Sequence, residues 1–265
     1  MTNNLNINVD RKIAAVIMAA GQGKRMKDPT RAKVMYELNG KPMVHYVADL
    51  AYDLGACRVI IVVGYQHEVV INYLRTTHPE AQYVYQEQQL GTGHAVLQSE
   101  ESLSDFEGDV LVLSGDVPLL TRQTMLNLLA HHCTTHAAAT ILTAMMEDPT
   151  GYGRIIRNAD GSVKRIVEHQ DATEEERRIR EINSGIYLFE KKTLFDGLRH
   201  ITPHNVQNEY YLTDVFEYFW GHRWTVSALL AKRAEEIHGI NTVEQLEKAH
   251  ALLEPRLDAR RTEQS

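Results

Sequence analysis

The sequence predicts an α/β fold: a mainly parallel sheet covered by helices, followed by a smaller lobe that carries a hairpin. Three observations lead there. Continuous apolar runs rich in β-branched residues at 13–18, 58–63 and 109–113 have the pattern of strands buried on both faces. Amphipathic stretches alternate with these runs, which calls for crossover connections and hence parallel pairing. From residue 152 the rhythm changes to paired short runs around a turn, the signal of antiparallel structure.

Taken in order, residues 1–10 (MTNNLNINVD) lack a charged segment followed by an apolar one, so they predict a loose tail and no secretory signal. The first strand, 13–18, breaks into the glycine turn Gly21–Gln22–Gly23. Residues 42–54 predict a helix, with Pro42 in its first turn, Met43, Tyr46, Val47, Leu50 and Leu54 at helical spacing, and Gly55 as its stop. A strand at 58–63, a helix at 68–75, a strand at 82–85 and a helix at 93–99 follow. A strand at 109–113 then ends in Ser114, Gly115 and Asp116, before a helix at 121–132 and a strand at 137–145.

Residues 154–157 and 163–168 predict a hairpin about the turn 158–161; a charged helix or loop at 174–180 and a strand at 181–189 come next. An aromatic helix is expected at 210–220 and a last strand at 225–230. The helix 242–257 has Thr242 as N-cap, Gln245 at the capping-box position and an apolar stripe of Val243, Leu246, Ala249 and Leu253; the polar end 258–265 is expected to fray. The chain is thus expected to divide into a tail at 1–10, a catalytic unit at 11–241 and a helix with its tail at 242–265. Within the unit, 11–135 reads as a nucleotide-binding half and 136–230 as a second lobe, with the ligand cleft between them.

Composition narrows the function. The 265 residues, 43% apolar and 24% charged, are those of a globular chain, and no run approaches the ~18 apolar residues of a membrane span. A net charge of -7 disfavours nucleic acid, whose backbone calls for a whole basic face, so the local cluster Lys24, Arg25, Lys27, Arg31 and Lys33 points to a small anion. Cys57 and Cys133 form no disulfide framework and no CxxC, which sets the cytoplasm as the expected compartment and the core as their expected place. The 13 histidines, among them His131 and His132, show no HExxH or other ligand spacing, and no metal role is expected of them. No membrane, nucleic-acid or protein partner is expected.

The chemistry begins at the first turn. Gly21 and Gly23 let the backbone present N–H groups to an anion without an intervening side chain. GQGKRM is neither GxGxxG nor a P-loop, and by itself is as compatible with an ordinary turn. Arg25 and Lys33 strengthen the phosphate reading, because two cations beyond such a nest can neutralise charge on a leaving pyrophosphate. Asp116, at the mouth of a buried strand, offers a hard carboxylate of the kind that Mg2+ takes, although GDVP is also turn chemistry. Gln86, Gly91 and Thr92 form a second loop leading into a helix whose N-terminus tolerates an anion.

At this point the residues resemble a known family. The run AAGQGKRM with AKVMYELNGKPM is similar to the signature of the sugar nucleotidyltransferases, and in particular to the uridylyltransferase domain of the bacterial bifunctional N-acetylglucosamine-1-phosphate uridylyltransferases/glucosamine-1-phosphate acetyltransferases. QEQQLGTGHA, LSGDVPLL, DPTGYGRI, IVEHQDAT, EINSGIY, NEYYLTD and EEIHGINTVEQL follow in that family's order. The resemblance implies a Rossmann-like nucleotide-diphospho-sugar transferase fold and a Mg2+-dependent transfer from UTP to a sugar-1-phosphate, N-acetylglucosamine-1-phosphate first. It implies Arg25 and Lys33 as catalytic and Asp116 with Asn241 as the metal ligands. Gln86, Gly91 and Thr92, with the backbone around Ala19, Ala20, Gly21 and Gly23, would hold the nucleotide. Gly153, Glu168, Asn183 and Tyr210 would hold the sugar phosphate, and the product would be a cell-wall precursor.

Three positions depart from the family pattern: Lys24 stands where Thr is usual, Ala32 where Pro is usual and Ser114 where Tyr is often found. No hexapeptide repeat follows the last helix, so acetyl transfer is not expected of these residues. Two other readings remain open here: a related enzyme that uses another hexose phosphate or nucleotide, and a catalytically silent nucleotide-sugar sensor.

Overall fold

The run IAAVIMA forms a strand at the middle of a sheet, and nearly all of it is buried, as an apolar run with no polar alternation requires. The structure is a computed structural model that describes residues 11–23, 26 and 31–263, with side chains up to 253. The expected tail at 1–10 lies outside the described residues, as do Lys24, Arg25 and Lys27; the end expected to fray from 258 is instead helical backbone to Glu263, with its side chains and residues 264–265 outside the description.

In chain order the strands are β1 (Ile13–Ala19), β2 (Glu37–Leu38), β3 (Lys41–Pro42), β4 (Arg58–Val63), β5 (Gln82–Tyr85), β6 (Asp109–Ser114), β7 (Ala139–Met145), β8 (Arg154–Arg157), β9 (Val163–Val167), β10 (Glu181–Glu190) and β11 (Val226–Leu230). The helices are α1 (Met43–Asp53), α2 (His67–Thr77), α3 (Thr92–Leu97), α4 (Arg122–Thr135), α5 (Glu174–Arg177), α6 (Lys191–Leu198), α7 (Val215–Gly221) and α8 (Val243–Glu263).

The main sheet runs β11-β7-β10-β6-β1-β4-β5, with the hairpin β8–β9 hanging from β10. β1 pairs in parallel with β4 and β6, β4 with β5, and β7 with β11. β10 runs antiparallel between β6 and β7, so strands from both halves of the chain join one sheet. Its pairing with β7 shifts register between Asn183 and Tyr187, where Gly185 takes φ +77° and Ser184 Oγ donates to the Leu142 carbonyl at 2.6 Å.

Alternation along the strands separates two apolar layers. Ile13, Ala15 and Ile17 face the layer of α1, α2 and α4, while Ala14 and Val16 face that of α3, α6 and α7. The second layer is partly aromatic: Phe189, Phe216 and Phe219 stand 5.7–6.1 Å apart, contacts worth about 0.5–1.5 kcal/mol each beyond their burial. α8 begins with Thr242 and Gln245 exchanging backbone N–H bonds at 3.1 and 3.2 Å, as a capping box does. Its Ala249 and Leu253 pack with Leu38, Met43, Leu119 and Ile240, which ties the C-terminal helix to the β2–β3 hairpin.

Three expectations are corrected. Cys57 is exposed and Cys133 half-buried, both free thiols, because Cys57 lies in the connection entering β4. The helix expected from 210 starts later: a 3-10 turn at Leu212–Asp214 leads into α7. Tyr210 and Tyr211 stay outside it because Tyr210 N–H donates to the Leu90 carbonyl at 2.7 Å and its own carbonyl accepts from Gly93 at 2.8 Å. The short helix α6, KKTLFDGL, has no counterpart among the expected elements; its eight residues give too little periodicity to read.

Candidate active site

Two cavities open beyond the carboxyl ends of the parallel strands, where such sheets place their ligands. One, about 280 Å3, is lined by Ala20, Gly21, Lys33, Gln86, Gly91, Thr92 and Asp116 among others. The other, about 200 Å3, is lined by Gly153, Glu168 and Asn183, and the two share Met18 and Thr92 as a wall. Ala19 is buried beneath the first, and Tyr210 lines neither; Tyr210 contributes its backbone.

The floor of the first cavity is an ion pair built from distant sequence. Lys33 opens a 3-10 turn, Lys33–Met35, and its stem packs under Gly23, which has φ +65°. A Cβ at Gly23 would lie 2.6 Å from Lys33 Cβ, so the glycine permits the turn to close over the lysine. Ala32, where the resembled family has Pro, is buried at φ -58°, the torsion a proline ring would impose, so this departure leaves the approach to Lys33 unaltered in shape.

Lys33 Nζ donates to Asp116 Oδ2 at 2.5 Å and to Asn241 Oδ1 at 3.0 Å. Asp116 is only 8% exposed, and its carbonyl accepts from Ile240 N–H at 2.9 Å, which brings the Gly239–Asn241 turn alongside. Asn241 is oriented by its own Nδ2, donating to the Gly239 carbonyl at 3.0 Å, and by its N–H, donating to Gln245 Oε1 at 2.7 Å. A Cβ on Gly239 would come within 3.2 Å of Asp116 Oδ2 and 3.4 Å of Asn241 Nδ2, so glycine lets this turn lie close against both side chains. A carboxylate oxygen and an amide oxygen converging on one cationic nitrogen are also the donor set of a hard divalent ion, so these residues fit Mg2+.

The second loop is held by its own backbone. Gln86 is buried and donates from Nε2 to the Gly91 carbonyl at 2.9 Å, while Thr92 Oγ1 accepts from Leu212 N–H at 3.0 Å. Gln89, which sequence reasoning missed, donates to the Ala20 carbonyl at 2.7 Å and ties this loop to the first; its place in the run QEQQL was the available signal. Gly91 has φ 110° and ψ 176°, a region essentially reserved for glycine, and a Cβ there would stand 2.6 Å from the Tyr210 carbonyl. Gly91→Ala is therefore expected to cost at least about 2 kcal/mol, read as a fall in Tm of roughly 4–8 °C. A fall under 1 °C would show that the loop is not fixed in this way.

On the other side, Gly153 brings its backbone under Glu168, whose carboxylate oxygen would lie 3.2 Å from a Cβ there. Thr213 Oγ1 donates to Glu168 Oε1 at 3.0 Å, and Asn183 Nδ2 donates to Tyr187 Oη at 2.6 Å. Thr213 and Tyr187 thus orient two of the expected residues, a role no sequence spacing discloses. Beneath them Arg154, 1% exposed, reaches the Arg177 carbonyl at 3.3 Å and the carbonyl of Tyr152, which fixes the 148–153 loop.

Burial, reinforced by Asp171, pushes the Glu168 carboxyl above its ordinary value against the opposing Thr213 bond. Burial first, then the neighbouring Glu217, Glu168 and Asp171, pushes Asp214 up to about 7. The native state therefore keeps the Asp214 proton between the ordinary carboxyl value of 3.8 and about 7, while the unfolded chain has released it. Stability falls as pH rises through that window. Asp214→Asn cannot ionise and is expected to raise Tm at pH 8 by about 2–8 °C over wild type, with little change at pH 4. Equal shifts at both values would contradict the assignment.

The chain is similar to known proteins along most of its length. A family model described as nucleotidyl transferase matches residues 14–248. The chain is 48% identical over 243 residues to bifunctional protein GlmU of Geobacillus thermodenitrificans, covering 92% of this chain and 52% of the relative. It is 45% identical over 242 residues to bifunctional protein GlmU of Exiguobacterium sibiricum, covering 91% and 53%. The chain thus spans about half the length of the curated relatives it matches. Among solved structures, one of UDP-glucose pyrophosphorylase complexed with UDP-glucose aligns with TM-score 0.71 at 20% identity, over 93% of this chain and 99% of that one, a likeness of fold. Among the described residues no helix is long and apolar enough to cross a membrane.

Proposed function

The chain belongs to the nucleotidyl transferase family, and from that premise we propose that it makes UDP-N-acetylglucosamine and pyrophosphate from UTP and N-acetylglucosamine-1-phosphate. The single observation that carries the reading is the Lys33 ammonium held between Asp116 and Asn241 on the floor of a cavity that opens, across Met18 and Thr92, onto a second cavity. Two adjoining cavities suit two substrates. The similarity to the GlmU proteins supports the choice of sugar and base.

In this reading the half at 11–135 takes UTP, with uracil against Gln86, Gly91 and Thr92 and phosphates over the backbone at Ala20–Gly23. The lobe at 136–230 takes the sugar through Gly153, Glu168 and Asn183, with Tyr210 holding the loops together. A phosphate oxygen of the sugar-1-phosphate attacks the α-phosphorus in line as the bond from that phosphorus to the β-phosphate bridging oxygen breaks. The protein contributes position and charge, and no covalent intermediate is required. Mg2+ held by Asp116 and Asn241 would supply the charge that draws the two substrate phosphates together. Lys33, which neutralises those oxygens in the structure, would then turn to the β- and γ-phosphates and, with Arg25, stabilise the departing pyrophosphate.

A substrate panel tests this. UTP with N-acetylglucosamine-1-phosphate is expected to exceed glucose-1-phosphate, dTTP, CTP and GTP combinations at least tenfold in kcat/KM; a faster pair of another kind would overturn the substrate choice and leave the family intact.

A further inference from the structure

α1 carries His45 and Asp49 four residues apart and therefore on one face, and α2 ends with His78 as its C-cap residue. Both helices pack on the same layer of the sheet. Their meeting brings one ligand atom from each of His45, Asp49 and His78 within 4.8 Å of the others. Asp49 stands between the rings, with Oδ1 3.0 Å from His78 Nε2 and Oδ2 3.2 Å from His45 Nε2. Both histidines are buried, 7% and 6% exposed, whereas the Asp49 side chain is 48% exposed and lines a cavity of about 380 Å3 that gives entry from solvent.

Two details go beyond an ordinary His–Asp contact. Each ring has its other nitrogen held by a hydroxyl: Tyr73 Oη lies 3.3 Å from His45 Nδ1, and Thr77 Oγ1 lies 2.9 Å from His78 Nδ1. Such partners fix the orientation of metal-binding imidazoles. His45 Nε2, aimed at the same point and buried, has only this 3.2 Å approach to the Asp49 carboxylate and makes no hydrogen bond of good geometry. A buried nitrogen left so is costly unless something else takes its lone pair.

We propose that His45, Asp49 and His78 bind a divalent transition-metal ion of the Zn2+ type, joining α1 to the end of α2. Two imidazoles and a carboxylate suit Zn2+, Co2+ or Ni2+ and are poorly matched to Mg2+. Donors about 2.1 Å from one tetrahedral ion stand ~3.4 Å apart, so the widest pair, within 4.8 Å, must close by up to about 1.4 Å, and water can complete the coordination. None of the three lines either cavity of the candidate active site, so this site stands or falls apart from the proposed transfer reaction.

The chain carrying Asp116→Ala, which removes the metal site proposed for catalysis, is stripped with chelator and titrated with Zn2+ by calorimetry and with Co2+ by visible absorption. Expected are saturation at one Zn2+ per chain, Co2+ ligand-field bands and a Tm raised by Zn2+. Adding His78→Gln or Asp49→Asn is expected to weaken binding at least tenfold and to abolish the Tm rise. Absence of saturable binding, or undiminished binding in both added variants, would overturn the proposal. Should His78→Gln fail to fold, Asp49→Asn decides alone, because that carboxylate is half-exposed and its amide isostere keeps the surface intact.

Discussion

Lys33→Ala is expected to lower kcat at least 100-fold while the chain stays folded. Lys33 is the cation that the described cleft floor holds, with Asp116 at 2.5 Å and Asn241 at 3.0 Å, so its charge stands in the cleft before the substrates arrive and has only to turn to the departing pyrophosphate. Removing one such preorganised charge commonly costs 10²–10³ in rate, about 2.7–4 kcal/mol. The cost in stability is smaller: the Asp116 side chain keeps 11% exposure and can recruit water in place of the ammonium, so about 1–2 kcal/mol and a few degrees in Tm are expected. Lys33→Arg is expected to fail nearly as badly. A planar guanidinium is larger than an ammonium and presents its N–H groups in a fixed fork, which does not match two oxygens converging on one nitrogen at 2.5 and 3.0 Å. Activity within threefold of wild type in Lys33→Ala would remove Lys33 from the chemistry.

Asp116→Ala is expected to be at least as damaging, and in a different way. It removes the only carboxylate that touches Lys33 among the described contacts, so rate should fall 100-fold or more and the Mg2+ concentration giving half-maximal rate should rise. Because the two residues act as a unit, the double variant Lys33→Ala with Asp116→Ala should be little slower than the slower single variant. Full additivity of the two losses would show that they serve separate steps.

Much of the fold was legible because its signals are local. The apolar runs at β1, β4 and β6 announce strands buried on both faces, and Thr242 with Gln245 announces the start of α8, since capping needs only residues three apart. The insertion of β10 between β6 and β7 was not legible: its pairing depends on partners far along the chain and on a register shift at Gly185. Tyr210 shows the same limit, because the 210–220 run has helical composition while its first residues are claimed by Leu90 and Gly93.

The candidate site divides likewise. Gly21, Gly23 and Asp116 signal their chemistry at a strand end, whereas Asn241 could be set beside Asp116 only through family resemblance, and the structure brings the two together through the Ile240 backbone bond. Gln89, Thr213 and Tyr187 escaped notice because each acts by orienting another residue. His45 and Asp49 have helical ligand spacing, but His78 joins them only through the packing of two helices.

In the proposed reaction one cleft transfers a uridylyl group from UTP to the sugar phosphate. Phosphorus NMR of the purified chain with UTP, N-acetylglucosamine-1-phosphate and MgCl2 tests it most directly. A diphosphate-sugar doublet pair and pyrophosphate are expected to grow in equimolar amounts, with neither formed when EDTA replaces MgCl2 or when the sugar phosphate is left out. Unchanged UTP, or its conversion to UDP and inorganic phosphate, would contradict it.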